Sequence, residues 1–356
     1  MKFLASSMVF AAVMATTTLV AASEQPMNAV HAPALRRGNH HQKRKCSAGS
    51  SKKHHHKKTH GKKKDQKSTS SSGSSDNKSS DNDQTASSSG SSSSSKSSGA
   101  GRSLKLKSKQ GLAWPNANGM NIKNFMTGGV SFAYSWDATP GWDGFPIDEL
   151  VFCPMLWGNK NADDFMNKVV NDQNGKFNKY KCAMGMNEVN QVGQSDMSVS
   201  DACSMMRSHI MPLADKGWYI IGPSTTSAPD GLSQWYKQFQ SECGDVFDRM
   251  DAISLHWYDV SIDAFKKYVE NWHNTFKKPV WVTEFACQNF NGGAQCSKSE
   301  TDQMMKEMSD WFMQQDYVVG FSPFGVMQNL QGVSEVNRLS QGSNPTSLFR
   351  MFADAT

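Results

Sequence analysis

Met184-Gly-Met-Asn-Glu-Val-Asn-Gln191 and Val280-Trp-Val-Thr-Glu-Phe-Ala-Cys287 are two short apolar runs, each with a glutamate at or near its end. Runs of this length, rich in Val, Met and aromatics and bounded by Gly, Lys and Pro, read as buried parallel strands. Glu188 and Glu284 then fall where strands stop and loops begin. In a parallel α/β barrel that rim is where the chemistry sits. Two carboxylates facing one another across a cleft suit cleavage of a glycosidic bond: one protonates the leaving oxygen, the other attacks the anomeric carbon or positions water. A single glutamate at a strand end is most often a solvated side chain; the pair makes the signal.

The surrounding body alternates strand and helix patterns. Strand stretches are 129–136, 150–157, 182–188, 219–224, 252–257, 280–285 and 318–324. Helical stretches are 162–172, 200–216, 232–242, 262–276 and 300–315, with cap residues at Ser200-Asp201 and Ser261-Ile-Asp263. This alternation predicts an α/β fold with a parallel sheet, and at this length a (β/α)8 TIM-type barrel. Seven strands are visible; the eighth is expected within 137–148 or is too short to see.

Outward from the body the composition changes. Residues 1–111 hold 20 Lys and Arg against 5 Asp and Glu; residues 112–356 hold 18 against 27. A basic leader therefore precedes an acidic domain. Residues 1–22 read as a signal peptide: Lys2, an apolar run, then Val20-Ala21-Ala22. That implies export into an oxidising compartment, secreted or held at a cell wall. No other stretch is apolar enough to span a bilayer. Residues 23–67 are basic and His-rich and read as disordered. Diffuse attraction to acidic wall or surface polymers suits them; the signal peptide argues against nucleic acid. Residues 68–111 are a Ser/Gly-rich linker, and 112–356 the folded domain, expected to be a monomer.

Aromatics and amides recur at the strand ends: Trp136, Trp157, Asn187, His256, Trp257, Tyr258 and Phe324. Aromatic faces stack on the C–H face of a pyranose, and amides bond its hydroxyls, so these residues read as the lining of a carbohydrate cleft. No metal or cofactor is called for, and His, Cys and carboxylates show no metal-type spacing along the chain. Six cysteines in the body allow 15 pairings. Cys287–Cys296, bracketing a Gly-rich loop, and Cys203–Cys243, on neighbouring helical stretches, are the favoured pairs. Cys153 and Cys182 share strand parity with Trp157 and Glu188, which aims both inward, where bridging adjacent strands is awkward; they read as buried free thiols. Cys46 stands alone in the leader.

Pro154-Met-Leu-Trp-Gly158, Met186-Asn-Glu-Val-Asn190, His256-Trp-Tyr258 and Trp281-Val-Thr-Glu-Phe-Ala286 occur in this order. Together they resemble the secreted glycoside hydrolases of family 128, from about Gly129 to Phe352. The resemblance implies a retaining barrel enzyme acting on β-1,3-glucan, with Glu188 as acid/base after strand four and Glu284 as nucleophile on strand seven. It implies that the unseen strand precedes Glu188. Asn187 would bond the sugar 2-hydroxyl, Tyr258 would orient Glu284, and Trp136 and Trp157 would stack on sugars. Where the family reads Asn-Glu-Pro-Asp, this chain has Val189-Asn190 after the glutamate. A β-glucan-binding wall protein without turnover, or a structural adhesion protein led by its tail, are the competing readings.

Overall fold

The computed structural model describes residues 101–115 and 119–356. The signal peptide at 1–22, the basic segment at 23–67, residues 68–100 of the linker and Cys46 lie outside the described residues.

Eight parallel strands form the core of an α/β fold. They are β1 (Gln110–Ala113), β2 (Val130–Tyr134), β3 (Val151–Phe152), β4 (Cys182–Met184), β5 (Tyr219–Ile221), β6 (Ile253–Asp259), β7 (Val280–Cys287) and β8 (Val318–Phe321). Parallel pairs run in the order β3-β2-β1-β8-β7-β6, with β4-β5 as a second ladder. Single parallel bridges join Met155 to Met184 and Ile221 to Ala252. All eight residues of β7 are buried, as expected of a strand covered on both faces.

The strand missing from the sequence reading is β1. It lies neither in 137–148 nor in any apolar run, but across the boundary placed at Leu112. Ordered contacts begin earlier still. Arg102 donates through Nε to Asp251 at 2.9 Å and through Nη1 to the Ala214 carbonyl at 3.1 Å. Leu104 and Leu106 pack on the cluster inside the strands, and Lys109 donates to the carbonyls of Phe312, Met313 and Gln315 at the end of a helix. Counting β1, Glu188 follows the fourth strand and Glu284 sits on the seventh.

Helices cover the other face of most strands. The two longest span Ile262–Phe276 (α1) and Lys298–Gln314 (α2). Helix α1 buries Phe265, Val269, Trp272 and Phe276, one stripe at helical spacing. Ser261 caps its N-terminus by accepting from Ala264 N, and Lys277, left-handed at φ 53°, ends it. Helix α2 opens with a reciprocal capping box between Ser297 and Glu300. The helical stretch near 200 starts at Val199, one residue earlier than expected, because Ser198 rather than Ser200 accepts from Asp201 N.

Strand parity sorts the core into two layers. Ala133, Leu255 and Phe285 face the helices; Phe132, Tyr134, Met184, Tyr219, Ile221 and Trp281 pack together inside the strands. The inner rings need room. A Cβ on Gly111 would meet the Phe132 ring at 2.1 Å, and one on Gly320 the Trp281 ring at 2.5 Å. Glycine on β1 and on β8 thus leaves room for two large rings inside.

Three disulfides tie the domain. Cys203–Cys243 and Cys287–Cys296 form as expected. The third corrects the free-thiol reading: Cys153 pairs with Cys182, their Cα atoms 5.0 Å apart. Both do point inward. But β3 is only two residues long, and Cys153 lies just past it. No continuous β3–β4 ladder holds the two apart, and the separation falls in the usual disulfide range.

Candidate active site

Glu284, on β7, is the centre of a hydrogen-bonded cluster with Trp136, Tyr258 and His256. A register shift between Leu255 and His256 on β6 sets His256 opposite Glu284, not Thr283. Such a bulge re-aims the side chains beyond it. Tyr258 Oη donates to Glu284 Oε2 at 2.5 Å, and Trp136 Nε1 donates to Glu284 Oε1 at 2.7 Å. Both carboxylate oxygens therefore accept from a neutral donor. His256 Nδ1 lies 3.5 Å from Glu284 Oε2 and 2.9 Å from Glu188 Oε1. One imidazole nitrogen thus bridges the two carboxyls.

Glu188 reaches this point from the loop after β4. Its backbone is left-handed at φ 46°, a conformation that costs a non-glycine residue energy and persists where the surroundings enforce it. Here Glu188 N donates to Ser224 Oγ at 3.1 Å, and Val189 N to the Ser224 carbonyl at 3.1 Å. Trp136 is left-handed too, at φ 57°. Two strained residues converge on one carboxylate pair.

The electrostatics follow from burial. Removal from water pushes the Glu284 carboxyl above its ordinary value; protonated His256 opposes this, the Glu188 charge adds to it, and the donors Tyr258 and Trp136 oppose it again. Burial alone would lower the His256 imidazole, but Glu284 and Glu188 outweigh it, and the ring is held above its usual value. Burial and then the two glutamates push the Tyr258 phenol well up, so it stays a donor.

Spatial convergence adds a grouping that the sequence spacing does not show. One donor atom each from Glu188, His256 and Glu284 lies within 4.8 Å of the others, and all three residues are buried. This set could hold a cation, although their positions in the sequence give no sign of it. A surface hollow of about 610 Å³, lined by residues including Lys298, Glu335 and Arg338, contains none of the three.

Most of the expected cleft residues gather here. Phe324 packs between Trp136 and Tyr258, ring centres 5.8 and 5.9 Å away. Asn187 is buried beside Glu188; its Nδ2 donates to Gln194 Oε1 at 3.2 Å, and its Oδ1 has no partner. His256 Nε2 is likewise buried without a partner. Trp157 is half-buried at the rim, with Lys160 Nζ 4.7 Å from its ring centre. Trp257 is the exception and a correction. It stacks on Phe265 of α1 at 4.9 Å and 5°, on the helix side. Neighbours along a strand face opposite ways, so Trp257 cannot share a face with His256 and Tyr258.

The departure at Val189-Asn190 has a structural place. Val189 is buried in the core. Asn190 Nδ2 donates to Thr226 Oγ1 at 2.9 Å and to Asp230 Oδ1 at 3.2 Å, while its Oδ1 accepts from Thr226 N at 3.0 Å. The pair stitches the Glu188 loop to the loop after β5. Sequence reasoning passed over Ser224, which fixes the Glu188 backbone, and Phe290, whose ring lies 5.3 Å from Tyr258.

Glu188, on the loop after β4, and Glu284, on β7, are thus buried together in a mostly parallel α/β fold. Residues 111–352 match the family described as "Glycosyl hydrolase catalytic core", and the chain belongs to it. The curated relative Alkali-sensitive linkage protein 1 of Schizosaccharomyces pombe is 24% identical over 247 residues, 68% of this chain. The matched region covers only 43% of that protein's length. Solved structures of similar fold include a family 128 subgroup V exo-β-1,3-glucanase from Cryptococcus neoformans, with TM-score 0.58 and 21% identity over 70% of this chain and 100% of that one. A subgroup VII oligosaccharide-binding protein from the same organism aligns at TM-score 0.57 and 24% identity, covering 70% and 93%. A mutant subgroup I endo-β-1,3-glucanase from Amycolatopsis mediterranei, in complex with laminarihexaose, aligns at 0.57 and 20%, covering 70% and 99%. At these identities the likeness speaks to fold.

Proposed function

We propose that this chain is an exported glycoside hydrolase that cleaves β-1,3-glucan by double displacement, with Glu188 as acid/base and Glu284 as nucleophile. The observation that carries this is the meeting of the two carboxyls at one imidazole, His256 Nδ1 lying 2.9 Å from Glu188 Oε1 and 3.5 Å from Glu284 Oε2; a retaining mechanism needs its two carboxyls this close together. Donors on both oxygens of Glu284 favour its ionised form, which a nucleophile needs. Glu188, with one oxygen facing His256, protonates the departing glucosyl oxygen and then draws a proton from water. Asn187 Oδ1 and His256 Nε2, buried and unpartnered, are acceptor and ring nitrogen for sugar hydroxyls. The three-donor cluster is read as this acid–base apparatus, with no metal in the reaction.

The two bridged ladders are read as one closed eight-stranded barrel, and the chain as a monomer. Three disulfides fit an oxidising, extracellular setting. Among the described residues no helix is long and apolar enough to cross a membrane. The basic leader is read as a tether to acidic wall polymers.

Hydrolysis of laminarin tests the reading. Glu188→Gln and Glu284→Gln should each lower the rate by about 10³-fold or more, since each removes a reacting group; a near-wild-type rate in either overturns the assignment. The second reading is a β-glucan-binding protein without turnover. It is favoured by the likeness to an oligosaccharide-binding protein and by Val189-Asn190. It wins if the wild-type chain binds laminarihexaose and releases no reducing sugar.

A further inference from the structure

Phe290 and Val192 are the large apolar side chains most exposed among the described residues, at 57% and 80%. Val192 lies on the loop after Glu188, Phe290 on the loop after Glu284. Single exposed apolar residues are ordinary on protein surfaces. Phe290 differs in being held. The Cys287–Cys296 disulfide closes its loop at the base. Asn289 N donates to Gln295 Oε1 at 2.9 Å, Gln295 Nε2 donates back to the Asn289 carbonyl at 2.6 Å, and Asn291 N donates to Asn289 Oδ1 at 2.7 Å. Gln288 Oε1 accepts from Ser334 N at 2.7 Å. Asn337 brackets Cys287, accepting from its N at 3.0 Å and donating to its carbonyl at 3.1 Å.

The ring also continues a file. Phe290 meets Tyr258 at 5.3 Å, Tyr258 meets Phe324 at 5.9 Å, and Phe324 meets Trp136 at 5.8 Å. Tyr258 and Trp136 are the two donors to Glu284. The aromatic file therefore passes the nucleophile and ends in an open ring at the rim. Tyr258 and Trp136 are committed to holding the carboxylate and Phe324 packs between them; the outermost ring, Phe290, is exposed.

We infer that Phe290 is the stacking platform of an additional subsite, taking the C–H face of a glucopyranose further along the chain than the residue at Glu284. The inference rests on the β-glucan reading above. Loss of such a platform should weaken binding about tenfold, or about 1.4 kcal/mol. Its contribution depends on chain length, because only a chain that extends to that further position meets the ring.

The test is calorimetric binding of laminaribiose and laminarihexaose to the full chain carrying Glu188→Gln, alone and with Phe290→Ala or Phe290→Tyr. Phe290→Ala should weaken laminarihexaose about tenfold more than laminaribiose, and Phe290→Tyr should restore it. Equal affinity with and without the ring overturns the inference. So does an equal loss at both lengths accompanied by a lower Tm, which marks a structural role. If the protein with Phe290 intact binds neither sugar, the β-glucan reading itself falls, and the subsite with it.

Discussion

The two ends of the strands are built to opposite rules. At the lower end Phe132, Tyr219 and Trp281 fill the interior, glycines at 111 and 320 make way for them, and Arg102, Leu104 and Leu106 close over from the chain before β1. Asp251 Oδ2 accepts there from both Arg102 and Ile220 N, while Asp251 Oδ1 and Trp281 Nε1 are buried without a partner. At the upper end, a few residues along the same strands, three titratable groups are buried together, two backbones are left-handed, and Asn187 Oδ1 and His256 Nε2 lack partners. What sets the upper end apart is the burial of Glu188, His256 and Glu284 against one another. That asymmetry is what a preorganised site costs, since groups set for a transition state are not set for their own comfort.

The largest way to break the comparison is truncation at the lower end. A chain starting at Gly101 should fold with a cooperative melt. One starting at Leu112 loses Gln110 and Gly111 of β1 together with the Arg102–Asp251 pair, and should fail to give a soluble, cooperatively melting protein. Equal melts for the two would show that the segment before β1 is only linker.

Next in size is Tyr258→Phe. It removes one donor to a buried carboxylate, an interaction worth about 1.5–3 kcal/mol, so kcat/KM for laminarin should fall about 10- to 100-fold. Direction in pH follows. Burial already holds the Glu284 carboxyl high, and Tyr258 opposes that. Without the donor the carboxyl rises further, and the acidic limb of the rate profile should move to higher pH. A limb that stays still or moves down contradicts the role given to Tyr258.

The smallest effects sharpen the contrast in stability. Gly111→Ala drives a methyl into the Phe132 ring and should destabilise by about 1–3 kcal/mol, seen in urea melts. Glu284→Gln should do the reverse at neutral pH. A carboxyl raised on folding binds more protons folded than unfolded, so stability falls as pH climbs from the unfolded value through the folded one. The variant should therefore melt higher than wild type near pH 7, with the gap closing below the ordinary glutamate value. A lower Tm for Glu284→Gln at pH 7 would remove the claim that the upper end is strained.

What could be read from the chain, and what could not, divides along the same line. Seven strands and both glutamates were legible because β7 and its neighbours are apolar runs punctuated by glycine and lysine. Strand β1 was not, because Gln110-Gly-Leu-Ala follows Lys105, Lys107 and Lys109 and inherits the look of the leader; its burial comes from β2 and β8. The Cys153–Cys182 bridge needed the length of β3, which no run of Val and Phe reveals. Trp257 was misread where alternation along a strand already excluded it, since His256 and Tyr258 occupy the inner face. The bulge that seats His256 against Glu284 is a tertiary fact with no local sequence signal; the loop held by Cys287 and Cys296 was legible, but not the place of Phe290 against Tyr258.

The roles of the two glutamates can be tested directly by rescue with azide, using an aryl β-laminaribioside whose leaving group needs no proton. Glu284→Ala opens the nucleophile's place, and azide entering there should give the α-glycosyl azide. Glu188→Ala leaves the glycosyl-enzyme without its base, and azide attacking from the other face should give the β-glycosyl azide. The exchanged pattern, or no azide adduct from either variant of a chain that hydrolyses laminarin, would contradict the assignment.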